Sequence, residues 1–223
     1  MLDSMIQLLK ERFELEERDA GSFKKMKVSG MKFSIRCWNV KGLGSVSLMS
    51  GKGFLGLMQM DTLILNPFEK DMPLFSYDRV KAAGNDMLFL ELYDTFLDSS
   101  LRKDETGGLL EDLMPLKELY KDLRDREAKP QWYDDLMLPQ SVEKVGKKKD
   151  ALTFDRMAGE FLDIYLTAVM EAPDCDPEAK RKKAAVYTEG LLSNGGPSTN
   201  VFKKAIGQEG AEKLFREVLF GTK

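Results

Sequence analysis

The feature that most constrains this fold is a two-residue repeat of apolar side chains between about residues 26 and 96. In the segment 31–37, apolar residues alternate with Lys32, Ser34 and Arg36, and this period is that of a half-buried β-strand. Similar runs follow at 46–48, 54–65 and 87–93, separated by short turns. Short turns join antiparallel strands, whereas parallel strands need long crossover connections. The sequence therefore predicts an antiparallel meander.

Helical patterns flank the predicted sheet. Apolar residues at 2, 5, 6, 9 and 13 predict a helix within 2–18, and we assign residues 1–20 to an N-terminal helix. Residues 109–220 are predicted to be mainly helical, most clearly at 151–170 and 179–193, whereas 130–149 has an irregular pattern. We therefore expect one domain, 1–223, of the α+β class, an α/β/α sandwich with a central antiparallel sheet flanked by helices.

The chain contains no histidine, and this excludes several kinds of active site. Ser-His and Cys-His nucleophile pairs, histidine-ligated zinc and histidine-ligated haem all require that residue. Acid–base chemistry must therefore come from Asp, Glu, Lys, Tyr or Cys. The net charge of −3 argues against a nucleic-acid-binding surface. Because no apolar run reaches about 20 residues and no signal-peptide pattern is present, we expect a cytoplasmic protein with no membrane partner.

The segment 51–56 carries the letters of the dinucleotide fingerprint GxGxxG. That fingerprint needs a strand before it and a helix after it, so that phosphates meet a helix N-terminus. The residues that follow here are typical of a strand, and the glycines fit a hairpin turn. We therefore predict neither a bound nucleotide cofactor nor a metal site.

Two aspartates stand out because each lies in an apolar, strand-like run. Asp61 shares a strand face with Gln59, two residues before it. That face is either the solvent side of the sheet or a desolvated wall, where burial would raise the pKa of Asp61 and make it a proton donor. Asp78 ends an alternating segment that puts it on one face with Ser76. Composition alone favours the alternative that Asp78 is a turn or cap residue ahead of Arg79.

Three features of the chain resemble the ferredoxin-dependent bilin reductases. Residues 67–78 end in Pro-Leu-Phe-Ser-Tyr-Asp, which is similar to a strand-to-aspartate pattern of that family. Residues 200–220 read as a short helix, a Gly break and an amphipathic helix that ends in Val-Leu-Phe, and Trp132 follows a proline-containing loop. The chain thus resembles a divergent member of the family, similar to the phycocyanobilin:ferredoxin oxidoreductases and to the wider red chlorophyll catabolite reductase superfamily.

The resemblance implies a reaction and two catalytic residues. It implies reduction of a linear tetrapyrrole (a bilin) by proton-coupled single-electron transfers from ferredoxin or flavodoxin, with no bound cofactor. Asp78 takes the position of the family's proton donor. Counting back without gaps places Asp61 at the second catalytic position, which is often histidine or asparagine, whereas anchoring on 51–53 shifts that position toward Met58 or Gln59.

We further expect the bilin to contact Gln59, Ser76, Asn200, Lys203 and Lys204. The basic runs 180–183 and 203–204 would meet the bilin propionates and an acidic electron donor, or else form an ordinary solvated helix face. The alternative function is a non-catalytic tetrapyrrole- or haem-binding protein on the same scaffold. The sequence leaves open which bilin and which double bond are involved.

Overall fold

A computed structural model describes residues 1–101, 108–127, 129–196 and 198–223 of the chain. Within these residues, one sheet contains the strands β1 (Leu15–Arg18), β2 (Lys25–Val28), β3 (Met31–Val40), β4 (Gly44–Gly53), β5 (Met58–Asn66), β6 (Leu74–Ala82), β7 (Asn85–Tyr93) and β8 (Val142–Gly146). The strand order is β1-β3-β4-β5-β6-β7-β8, and β2 also pairs with β3. Every pair is antiparallel, which confirms the predicted meander.

Helices cover both faces of this sheet. One face carries α1 (Leu2–Arg12), α2 (Leu113–Leu119) and α3 (Ala151–Glu171), and we call it the α3 face. The other, the α4 face, carries α4 (Pro177–Asn194), α5 (Thr199–Lys213) and a π-helical turn (Leu214–Leu219). The predicted sandwich of helices around an antiparallel sheet is therefore confirmed. No helix in the described ranges has both the length and the apolar character needed to cross a bilayer.

The alternation along β5 and β6 divides their side chains between two apolar layers. Leu63 and Tyr77 are cross-strand neighbours that pack in the layer under α3. Ile64 and Ser76, one position along, are also cross-strand neighbours and face α4. Because helices cover both faces, polar side chains on the α4 face point into the protein and not into bulk water. The cavity described below depends on this arrangement.

The N-terminal helix is shorter than predicted, and a strand follows it. α1 ends at Arg12, because Phe13 takes an extended conformation with φ −137° and ψ 152°. The next residues form β1, which pairs with β3 and places Glu17 2.9 Å from the Arg36 guanidinium. The charged residues that seemed to continue the helix therefore form an edge strand. The prediction of helix to residue 18 or 20 is wrong for these positions.

The hairpin turn predicted for the glycines of segment 51–56 includes Gly56 but not Gly51 or Gly53. Gly51 and Gly53 lie inside β4, and Phe54–Gly56 makes the turn. Crowding explains Gly51, because a Cβ there would lie 2.5 Å from Cε1 of Phe33. The next regular element is strand β5, as predicted. The segment therefore lacks the strand-then-helix context of a nucleotide fingerprint.

A strand also lies within 130–149, which was predicted to be irregular. In β8, Val142 and Lys144 are buried on one face. The Lys144 ammonium is 2.6 Å from the Asp125 carboxylate and 3.0 Å from the carbonyl oxygen of Leu123. A buried lysine breaks the apolar alternation, which explains why the sequence pattern did not indicate a strand.

The basic run 180–183 is not a continuous solvated face. The side chain of Lys180 is fully buried, and its ammonium donates to Asp71 Oδ1 at 2.7 Å and to the carbonyl oxygen of Thr95 at 2.6 Å. Asp71 also accepts hydrogen bonds from the backbone N–H groups of Leu97 and Asp98, both at 2.8 Å. Lys180 therefore links α4 to the loops that follow β5 and β7, and it is not available to a ligand.

Candidate functional site

A cavity of about 640 Å³ lies between the α4 face of the sheet and the C-terminal elements. Strands β5, β6 and β7 form one wall. The other walls come from α4, the π-helical turn, residues 131–133, and residues 194–196 and 198–200. Pockets for small organic ligands range over about 300–1,000 Å³. The cavity is therefore large enough for an extended organic molecule, and two carboxylic acids, Asp78 and Glu91, face it.

Asp78 is half-buried on β6, whose alternation aims its carboxylate into the cavity. The hydroxyl of Thr62, directly opposite on β5, donates to Oδ1, and the hydroxyl of Ser76 donates to Oδ2 at 3.1 Å. Burial raises the pKa of Asp78 to about 6, although both hydroxyls favour the ionised form and limit the rise. Asp78 can therefore gain and lose a proton close to neutral pH.

Glu91 is a second acid on the same wall, and no sequence pattern indicated it. It lies on β7 directly opposite Ser76, is 8% exposed, and accepts a hydrogen bond of 2.7 Å from the Tyr93 hydroxyl. Burial and the negative charge of Asp78 raise the pKa of Glu91 to about 8. At neutral pH Glu91 therefore keeps its proton, whereas Asp78 is mostly ionised.

Aromatic rings form one end of the cavity. Tyr93 stacks on Tyr187 of α4 with ring centroids 3.9 Å apart, and Tyr133 contacts both rings edge-on. The indole N–H of Trp132 donates to the carbonyl oxygen of Gly195 at 2.8 Å, which fixes Trp132 against α4. Gly190 makes room for it, because a Cβ there would lie 2.1 Å from Cη2 of Trp132. Flat, polarizable walls of this kind suit a planar conjugated ligand.

Three predicted site residues meet at this cavity. Asp78 and Ser76 line it from β6, and Asn200 lines it from the first turn of α5. Trp132, which contributed to the family resemblance, also lines it. These placements bring together two distant parts of the chain that the resemblance had selected. Their roles in binding or catalysis stay predictions.

Asp61 and Gln59 do not line the cavity. Asp61 accepts a hydrogen bond of 2.6 Å from its cross-strand neighbour Ser50, on the α3 face. The residue that faces Asp78 across the strands is Thr62, one position later. A shift of one residue on a strand moves a side chain to the opposite face of the sheet. The ungapped count therefore selected the wrong face, and the predicted pairing of Asp61 with Asp78 is corrected to Thr62 with Asp78.

The two lysines predicted to bind substrate also lie outside the cavity lining. The Lys203 ammonium donates to the carbonyl oxygen of Leu192 near the end of α4, and Lys204 is exposed on α5. Among the described residues, the cation that lines the cavity is Arg126, whose guanidinium is 2.7 Å from Glu143 and 5.0 Å from the ring centroid of Phe89. Arg126 lies in a loop without a recognisable sequence signal, so only the folded structure identifies it.

The similarity between this chain and known proteins is a similarity of fold. Neither a protein-family model nor a curated protein sequence matches the chain. Among solved structures, the chain is similar to phytochromobilin synthase from tomato, solved in complex with biliverdin. The TM-score is 0.77 at 14% sequence identity, and the alignment covers 100% of this chain and 83% of the tomato protein. This chain therefore has the fold of a biliverdin-binding protein, the fold that the resemblance implied.

Proposed function

We propose that this protein reduces a linear tetrapyrrole with single electrons supplied by ferredoxin or flavodoxin, and that Asp78 donates a proton to the bound bilin. The observation that carries the proposal is the position of Asp78. It is a carboxylic acid with a pKa of about 6 on the wall of a cavity of about 640 Å³, in a fold whose tomato relative was solved with biliverdin. We also propose that the protein works in the cytoplasm.

The proposed reduction requires from the protein a binding cavity and a proton donor. A protonated conjugated ligand accepts an electron more easily than a neutral one, because the electron then cancels a positive charge. Once Asp78 has given up its proton, its carboxylate is held by the hydroxyls of Thr62 and Ser76 and lies beside the cation it has created. The electrons come from an external carrier, so we propose no bound cofactor.

We assign the orientation of the ligand to polar groups other than the two acids. The bilin propionates are anionic, and Arg126 is a cation in the cavity lining whose side chain is 36% exposed. The guanidinium can form charge-assisted hydrogen bonds with a carboxylate. Asn200, in the first turn of α5, offers an amide in the same cavity lining. We therefore propose Arg126 and Asn200, in place of Lys203 and Lys204, as the residues that position the propionates.

A second candidate is a tetrapyrrole carrier that does not reduce its ligand. One observation favours it. The residue opposite Asp78 is Thr62, whose hydroxyl does not titrate, so this cross-strand residue pair holds one ionisable group. A carrier would need the cavity and the aromatic wall but no proton donor.

Two matched variants separate these functions. Asp78→Asn keeps the size of the side chain but removes its acid, and we expect saturable biliverdin binding with a loss of about 100-fold or more in donor-dependent reduction. Asp61→Asn makes the same change on the α3 face and should reduce biliverdin at the wild-type rate. Equal rates for wild type and Asp78→Asn would refute the assigned role, and binding without turnover in the wild type would favour the carrier.

A further inference from the structure

We propose that Glu91 is the second proton donor of the reaction, and that Asp78 and Glu91 act as two acids that serve one bound bilin. This inference rests on the proposed reductase function and deepens it. Asp78 was indicated by the family resemblance, whereas Glu91 comes from the structure of this chain.

The stoichiometry requires a second proton. Reducing one double bond of a conjugated tetrapyrrole consumes two electrons and two protons; a π bond is lost, and two bonds to hydrogen form. Two molecules of a one-electron carrier are oxidised, each losing one electron. Asp78 can supply at most one proton in each turnover, so the second proton must come from solvent or from a second acid. Both carboxylates regain their protons from water after product leaves.

Geometry identifies Glu91 as that acid. Glu91 is opposite Ser76 in the β6–β7 register, and Asp78 is two residues from Ser76 on the same face. Diagonal neighbours of this kind lie about 7–8 Å apart. A flat tetrapyrrole on the α4 face of the sheet would therefore lie over both carboxyl groups at once. Ser76, which donates to Asp78, lies between them.

The surroundings of Glu91 keep its carboxyl group protonated, and the side chain still lines the cavity. Burial disfavours its ionisation most, followed by the charges of Asp78 on β6 and Glu143 on β8, while the Tyr93 hydroxyl and the charge of Arg126 partly offset these effects. Tyr187 of α4 and Tyr133 also face this region, and burial raises the pKa of both, with a smaller contribution from ionised Glu91. With pKa values of about 6 and about 8, the two acids together hold one proton between those values. That proton resides mostly on Glu91.

If Glu91 had only a structural role, a glutamine should be able to replace it. Glu91 forms no ion pair with the nearby cation, because Arg126 pairs with Glu143. Its carboxyl group therefore adds little that an amide would not, since an amide oxygen also accepts the Tyr93 hydrogen bond. What a glutamine cannot supply is a proton. This difference makes Glu91→Gln a selective probe.

The test compares Glu91→Gln with wild type in anaerobic single turnovers with biliverdin and a reduced ferredoxin. We expect biliverdin to bind the variant as it binds the wild type, and the first electron to enter. The one-electron-reduced radical should then accumulate, visible by electron paramagnetic resonance, while product formation slows by about 100-fold or more. As pH rises, wild-type activity should fall near pH 6 and again near pH 8, where Asp78 and Glu91 lose their protons. In Glu91→Gln only the fall near pH 6 should remain. Glu91→Asp should recover part of the rate.

Glu160 provides the matched control, because it accepts a hydrogen bond of 2.8 Å from the Tyr120 hydroxyl but lies on α3, across the sheet. Glu160→Gln should behave as wild type in every assay. If wild type reduces biliverdin and Glu91→Gln does so at the same rate, the role of Glu91 is refuted and the reductase function stands. Loss of biliverdin binding in Glu91→Gln would also refute the role of Glu91 as a proton donor. If wild type itself does not reduce biliverdin, the reductase function fails instead.

Discussion

Glu91 should make the protein less stable as pH rises, and Glu91→Gln should remove that dependence. The pKa of Glu91 is raised from 4.5 to about 8 in the folded protein. Between these values the unfolded chain loses this proton while the folded protein keeps it. The contribution is therefore complete at low pH and is lost as pH rises.

The magnitude follows from the two pKa values. Each pH unit between them lowers the unfolding free energy by about 1.4 kcal/mol, so the full effect by pH 8 is about 5 kcal/mol. Asp78, with its pKa raised from 3.8 to about 6, adds a slope of the same sign below pH 6. Because Asp78 is present in both proteins, the difference between wild type and Glu91→Gln isolates Glu91.

Urea unfolding at pH values from about 5 to about 9 measures this difference. At the acid end the two proteins should agree within about 1 kcal/mol, because Gln replaces a neutral carboxylic acid that accepts the same hydrogen bond. The variant should then become the more stable protein, with the gap widening to about pH 8 and constant beyond it. Glu160→Gln should follow the wild type. Parallel curves for wild type and Glu91→Gln would show that Glu91 ionises normally in the folded protein, and the assignment of its proton would fail.

Two further predictions concern α4, the helix that contributes Tyr187 and Leu191 to the cavity lining. Lys180→Met should lower the unfolding free energy by about 3–5 kcal/mol in urea titrations, because it leaves the Asp71 carboxylate buried without its cation. A loss below about 1 kcal/mol would contradict this prediction. Gly190→Ala should displace Trp132, since the new methyl group would lie 2.1 Å from the indole. It should therefore weaken biliverdin binding, as measured in an absorbance titration. Unchanged affinity would show that Trp132 does not shape the ligand site.

The sheet and the position of Asp78 were predictable because both depend on local pattern. Period-two alternation of apolar and polar residues marks a strand that has one face on an apolar layer and the other toward solvent, as in β3. The same alternation predicted that Asp78 and Ser76 share a face, and the structure places both on the cavity wall. The N-terminal strand was missed because four residues of an edge strand carry too little pattern to end a helix prediction.

Pairings between strands were harder to predict, because register is not a local property. Asp61 and Thr62 are adjacent in sequence, and the choice between them depends on one residue of register, which decides the face of the sheet. Glu91 looks like a surface residue until β6 and β7 are aligned and Ser76 lies opposite it. Lys180 likewise sits in a basic run, and only the folded chain brings Asp71 to it.

The most direct test of the account is an anaerobic titration of the wild-type protein with biliverdin, followed by a reduced-ferredoxin regenerating system. We predict a saturable change in the visible absorption of biliverdin, and then a donor-dependent loss or blue shift of that absorption as a double bond is reduced. Saturable binding with no donor-dependent change would contradict the reductase function and leave a carrier. The absence of binding would remove the tetrapyrrole from the account altogether.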